Sequence, residues 1–258
     1  MINNSFCVCP LASGSKGNSL FVSCDNQRFL IDAGLSGIEV ERRLKHIDID
    51  PQSLTAIIIT HEHSDHVKGA GILSRRFNLP LYITQKTFQA CQGLGKIEDI
   101  YFFECGTSFN IDQILVSPFS ISHDAIDPAG LTMEYKDHKI GIATDLGIVT
   151  NLVKEYLKGS NILYLESNHD PEMLINGPYP WYLKQRIKDR RGHLSNIDAK
   201  ILVSELKTEA LKHVILAHLS EENNCPQKAV QEVSKSLNAS NIALHVAGPA
   251  KPGKIIKL

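Results

Sequence analysis

The stretch LTAIIITHEHSDHVKG, residues 54–69, constrains this chain most: an unbroken apolar run ends in three histidines, a glutamate and an aspartate within six positions. A run without polar alternation reads as a strand buried on both faces. His61 and His63 are two apart, so they lie on the same side of an extended segment, while Asp65 and His66 follow where the run has ended and the chain must turn. All four can converge on one point. Imidazole nitrogens and carboxylate oxygens are the donors a borderline divalent cation prefers. The competing reading is a polar loop of solvated histidines, and four ligand-type side chains in His-x-His-x-Asp-His order directly behind a strand weigh against it. Glu62 is out of phase with the pair and is expected in a salt bridge or in solvent.

Around this motif strands alternate with helices. SLFVSCDNQRFLIDAG reads as a hairpin turning at Asp25 and Asn26, a helix is expected from Ser36, and residues 114–144 read as three strands. Further on, NILYLES, HVILAH and IALHV read as strands, and NIDAKILVSEL and PQKAVQEVSKSL as helices. With 258 residues, 43% of them hydrophobic, the chain can fill a core, and we expect one α/β domain over residues 1–258 with two central sheets and helices outside. No apolar run approaches the ~18 to 20 residues that cross a bilayer. MINNSFCVCPLASGSKG lacks the basic and apolar regions of an export signal. A cytoplasmic protein without membrane contact is expected, its six cysteines reduced and Cys7 and Cys9 packed in a strand. A net charge of -1 gives no general pull on nucleic acid, so any basic surface must be local.

THEHSDH resembles the signature of the metallo-β-lactamase fold, and further motifs of that family are found one by one: Asp32 in FLIDAG, His123 in SPFSISHDA, Asp145 in IGIATDLG and His218 in VILAHLS. The last three each close an apolar run. The resemblance covers nearly the whole chain and implies a four-layer αββα sandwich holding two divalent metal ions, zinc or manganese. It implies His61, His63 and His123 around one ion, Asp65, His66 and His218 around the other, Asp145 between them, and Asp32 orienting the metal loop. His46, His138, His213 and His245 fall outside these motifs and are read as structural.

A fold does not choose a reaction. YPWYLKQRIKDRR interleaves Lys184, Arg186, Lys188, Arg190 and Arg191 with Tyr179, Trp181 and Tyr182. Cations neutralise phosphates and rings stack exposed bases, so this patch is read as a nucleic-acid contact. Its competitor is a helix with solvated cations and core aromatics. In GHLSN, Ser195 is a good N-cap for a helix offering free N–H groups, with His193, Ser195 and Asn196 as phosphate contacts. His169 in ESNHD is a candidate phosphate ligand or general acid; for these histidines an ordinary cap or surface position competes. LASGSKGNS, ESNHD, GHLSN and AHLSEENN together resemble the YycJ family of small 5′-to-3′ DNA exonucleases. That resemblance implies a nuclease hydrolysing phosphodiesters with a metal-bridging hydroxide oriented by Asp65, with DNA rather than RNA as partner. A tRNA-type endoribonuclease, a small-molecule phosphodiesterase and a non-catalytic metal-binding regulator are the alternatives.

Overall fold

The computed structural model describes residues 6–238 and 240–258; the reading of the N-terminus as free of an export signal begins at residue 1, and residues 1–5 lie outside the described residues. One sheet contains β1 (Cys7–Ala12), β2 (Ser19–Cys24), β3 (Gln27–Ile31), β4 (Ala56–Ile58), β5 (Leu81–Thr84) and β6 (Ile100–Phe103) in chain order. The other contains β7 (Phe109–Ile111), β8 (Ile114–Ser120), β9 (Ala129–Tyr135), β10 (His138–Ala143), β11 (Ile162–Glu166), β12 (His213–Ala217) and β13 (Ala243–Val246). The chain ends by adding β14 (Ile256–Lys257) beside β1. In each sheet three antiparallel pairings are followed by three parallel ones.

Parallel neighbours need crossovers, and these supply the helices. α1 (Gly37–His46), α2 (Ser64–Val67), α3 (Ala70–Phe77) and α4 (Gln85–Ala90) serve the first sheet. α5 (Asn151–Leu157), α6 (Pro171–Asn176), α7 (Trp181–Lys188), α8 (Asn196–Leu206) and α9 (Pro226–Ser234) serve the second. Ser36 caps α1 as expected, its Oγ accepting from the Glu39 N–H at 3.4 Å. The Asp25 turn forms with φ 53°.

The apolar run is explained by burial on both faces. Ile58 joins Ile31, Leu131 and Ile142 between the sheets, while Ile57 and Ile59 join Val40, Leu44 and Leu73 beneath α1 and α3. On the far side Leu163, Leu165, Val214 and Leu216 pack with Val153, Leu202, Val203 and Val233 of α5, α8 and α9. The four layers are therefore helices, sheet, sheet and helices. The cysteines are free, with Cys7, Cys9 and Cys24 buried. Among the described residues no helix is long and apolar enough to cross a membrane.

α2 and α3 are separate helices, divided at Gly69. Its N–H donates to the Ala33 carbonyl at 2.7 Å, and a Cβ there would lie 2.4 Å from the Leu35 oxygen, so tight contact with the end of β3 interrupts the helical path.

Candidate metal centre

The candidate residues meet where strands end at their carboxyl termini, the usual position of ligand sites in α/β sheets. Asp32 follows β3, the HEHSDH segment follows β4, His123 follows β8, Asp145 follows β10 and His218 follows β12. Asp32, Asp145 and His218 have φ of 61°, 58° and 54°. Such left-handed backbone is costly away from glycine and concentrates at functional sites. Gly34 permits the close approach of the β3 end to the histidine loop, because a Cβ there would lie 1.5 Å from the Asp65 carbonyl oxygen. The loop is clamped by N–H groups of Asn18 to Asp65 O and of Ala33 to His66 O, both at 2.7 Å.

Four imidazoles bind the protein through Nδ1 and keep Nε2 for the centre. His66 Nδ1 donates to Asp32 Oδ2 at 2.7 Å. Thr60 Oγ1 gives its proton to Asp32 Oδ2 at 2.8 Å and so accepts from His61 Nδ1 at 3.0 Å. His123 Nδ1 donates to the Gly192 carbonyl at 3.3 Å, and His218 Nδ1 to Glu166 Oε1 at 2.7 Å. An acceptor on the outer nitrogen fixes the tautomer and aims the inner one, as metal-ligating histidines require.

The inner atoms fit a divalent cation. His61 Nε2, His218 Nε2 and Asp145 Oδ2 are buried without a hydrogen-bond partner, against the rule that buried polar atoms are satisfied. Ligand atoms of His61, His63 and His123 lie within 4.8 Å of one another; the same holds for Asp65, His66 and His218, and for His61, His66 and Asp145. The two triads expected from sequence are thus brought together, and Asp145 lies 3.3 Å from His66 Nε2 and 3.8 Å from His123 Nε2. Asp32 stands behind His66 as expected.

Burial opposes charge on these groups, yet their neighbours outweigh it at most of them. His218 and His66 hold Asp145 well below the ordinary carboxylate value. Asp32 and Asp145 lift His66 to about 10 despite its burial, and Asp145, Asp65 and Glu166 lift His218. At His61 burial dominates and the imidazole is held well below its usual value. The centre draws positive charge, for which protons and metal cations compete.

Glu166 was passed over in the sequence. Fully buried at the end of β11, its Oε1 accepts from His218 Nδ1 and from His193 Nδ1 at 2.9 Å, and its Oε2 from the N–H groups of Leu146 at 2.8 Å and Leu194 at 3.0 Å. Its signal, an acid closing an apolar run, is the one shared by Asp32 and Asp145. Asn18 was also missed: its Nδ2 donates to Asp65 Oδ2 at 3.2 Å and lies 3.0 Å from His66 Nε2.

The remaining expectations divide. His193 lies in the centre, half-buried, its ring 5.3 Å from His123 and 5.1 Å from His218 by centroid. With Nδ1 bound to Glu166, Nε2 is left for a ligand. His169, the other candidate phosphate ligand or general acid, is 4% exposed and bridges to Ser195; burial pushes its imidazole down to about 4, and its Nδ1 has no hydrogen-bond partner among the described residues. Ser195 caps α8 as expected, its Oγ engaged by Asp198, and the Asn196 side chain is buried against Ser167 and Asn224. Lys184 donates to the Ile175 and Gly177 carbonyls, both at 2.7 Å, closing the turn between α6 and α7. Glu62 is half-buried and enters no ion pair among the described residues; its Oε1 accepts from the Ile126 N–H at 2.8 Å.

Arg186 binds Asp124 at 2.6 Å, and Asp124 lies 3.3 Å from His123 Nε2, so α7 is tied to the centre. Arg191 donates to the His123 carbonyl at 3.2 Å, while Arg190 is exposed. Trp181 and Tyr182, 64% and 73% exposed, are not core residues. The short α7 buries only Ile187, which leaves its aromatic start in solvent.

A protein-family model described as a beta-lactamase superfamily domain matches residues 27–219. Exodeoxyribonuclease YycJ of Bacillus anthracis is 39% identical over 254 residues, covering 95% of this chain and 96% of that protein. The metallo-beta-lactamase fold protein YhfI from Bacillus subtilis superposes with a TM-score of 0.75 at 14% identity, covering 99% of this chain and 100% of its own. Zn(2+)-bound PqqB from Methylobacterium extorquens superposes with a TM-score of 0.73 at 15% identity, covering 98% and 100%. At such identities the two structures bear on fold alone.

Proposed function

This chain belongs to the β-lactamase superfamily, in the YycJ family of exodeoxyribonucleases, and from that premise we propose that it is a two-metal nuclease hydrolysing DNA phosphodiesters from the 5′ end. What carries this reading is the set of four imidazoles fixed from outside with their inner nitrogens aimed at one centre. His61, His63 and His123 would hold one ion and Asp65, His66 and His218 the other, with Asp145 shared; nitrogen and oxygen donors suit zinc or manganese. Bound there, the ions supply Lewis acidity, lowering the pKa of a water and offsetting phosphate charge.

The protein's own groups do the rest. Asp65, whose Oδ2 accepts from Asn18 Nδ2, would help hold the second ion and would orient the attacking water. His193, held by Glu166, offers Nε2 to a phosphate oxygen or a proton to the leaving oxygen. Trp181 and Tyr182, exposed at the start of α7, and Arg190, exposed just beyond its end, would meet the strand on the side where Arg186 ties α7 to Asp124 and His123.

Cleavage of end-labelled DNA by metal-stripped and metal-restored protein tests the reading. The 5′ label should be released first as a short product, only after zinc or manganese is restored. Internal cuts, or undiminished cleavage after stripping, would overturn it. Asp65→Asn keeps size and one oxygen ligand but loses the charge, so we expect moderately weaker metal binding and turnover down by roughly a hundredfold. Near wild-type cleavage at full metal occupancy would remove Asp65 from the chemistry.

Replacing Trp181 and Tyr182 together by alanine should weaken DNA binding by about thirtyfold or more, since each stacked base contributes ~1 to 3 kcal/mol. Hydrolysis of bis(4-nitrophenyl) phosphate should not change. Arg186→Glu, by contrast, should impair both, because it also releases Asp124 beside His123. Equal affinities for the wild type and the double alanine variant would exclude α7 from the strand path.

A further inference from the structure

At the open edge of the sandwich, between β13 and β14, lies a groove of about 470 Å³ walled by Pro10 and Ile256 and lined by His46, His245, Lys251 and Lys254. No carboxylate lines it. Lys251 and Lys254 are exposed and, among the described residues, enter no ion pair, whereas Lys16, Lys139, Lys154, Lys200, Lys228 and Lys235 each face a carboxylate. Two histidines read as structural from the sequence thus share one basic cleft, and a third, His213, lies behind it with Nδ1 3.2 Å from His245 Nε2. Ammonium groups beside imidazoles suit an anion and repel a metal ion.

The groove is joined to the catalytic centre by a pinned segment. Ser13 Oγ accepts from the His218 N–H at 2.7 Å, and the Ser13 N–H donates to the Gly248 carbonyl at 3.1 Å. Arg43 Nη2 then holds the Ala250 carbonyl at 3.3 Å, and the Gly253 N–H donates to the Pro10 carbonyl at 2.8 Å. Residues 248–253 therefore run back along β1 from Ser13 to Pro10, a path of ~10 Å at ~3.3 Å per strand residue. That is about three nucleotide steps at ~3.4 Å per step in one strand. The segment leaves the centre beside His218, whereas α7 reaches it beside His63 and His123.

We propose that this groove binds the phosphate backbone of the DNA strand beyond the catalytic centre, on the side away from α7. The proposal rests on the nuclease reading and adds to it a second anchoring site and a direction for the strand. Because hydrogen bonds to β1 hold the segment, its lysines are presented with little ordering left to lose on binding.

The test is the double variant Lys251→Glu with Lys254→Glu, at exposed positions without partners. Binding is measured by fluorescence anisotropy over a range of salt, for a labelled strand too short to reach the groove and for one several times longer. We expect unchanged affinity for the short strand, about tenfold loss for the long one, and a log–log salt slope smaller by about 0.7 per phosphate contact removed. Bis(4-nitrophenyl) phosphate turnover should equal that of the wild type, which also shows that the fold is kept. The same length dependence and salt slope as the wild type would overturn the proposal. A wild-type protein that hydrolyses the small diester but binds neither strand would overturn the nuclease reading, and the groove assignment with it.

Discussion

Asp145→Asn should fold, lose at least one metal equivalent, and turn over DNA roughly a thousandfold more slowly. The substitution is close to isosteric and keeps a residue type that tolerates left-handed backbone, so the φ of 58° adds little new strain. What disappears is the charge. Asp145 is buried, 3.3 Å from both His66 Nε2 and His218 Nδ1, and its Oδ2 has no other partner. Without the carboxylate, neither candidate ion keeps its shared anionic ligand. Metal analysis beside single-turnover cleavage decides the matter: two equivalents bound and an unchanged rate would rule out a bridging role.

Glu166→Gln is expected to damage stability and chemistry together. The carboxylate accepts four N–H groups, two from imidazoles on one oxygen and two from backbone on the other. A glutamine offers one oxygen, so whichever way its amide turns, the NH2 faces two donors. At ~1 to 3 kcal/mol for each unsatisfied buried group, a loss of ~2 to 6 kcal/mol follows. Metal affinity or turnover should fall by about 10- to 100-fold, because His218 and His193 lose the acceptor that orients them. Burial opposes the charge of Glu166, but His193 and His218 hold its carboxyl down to about 2, well below the ordinary glutamate value. Its charge therefore stabilises the fold fully above the unfolded value, and that contribution is lost as pH falls towards about 2. Thermal melts from neutral to acid pH, set beside cleavage rates, provide the check. A variant that melts and cleaves like the wild type would leave Glu166 without the role assigned to it.

The candidate ligands are legible in the sequence because a residue that closes a strand buried on both faces is held at the rim of the core. There a histidine or aspartate behind an apolar run is a local, readable signal, and His61, His123, Asp145 and His218 all carry it. The same pattern yields the two sheets and most of their helices. The short β6, β7 and β14 escape it because they are edge or near-edge pieces with few residues to show a period. What a polar group touches is decided elsewhere. Glu166 gains its importance from partners 27 and 52 residues away, Lys184 is taken up by the carbonyls of a turn, and Asn196 by a buried amide network. Residue type and position on a strand determine which atoms can bind a metal or a phosphate. Only the packing of distant segments determines which of those atoms are already hydrogen-bonded and which remain free, since local periodicity records burial and carries no information about long-range partners.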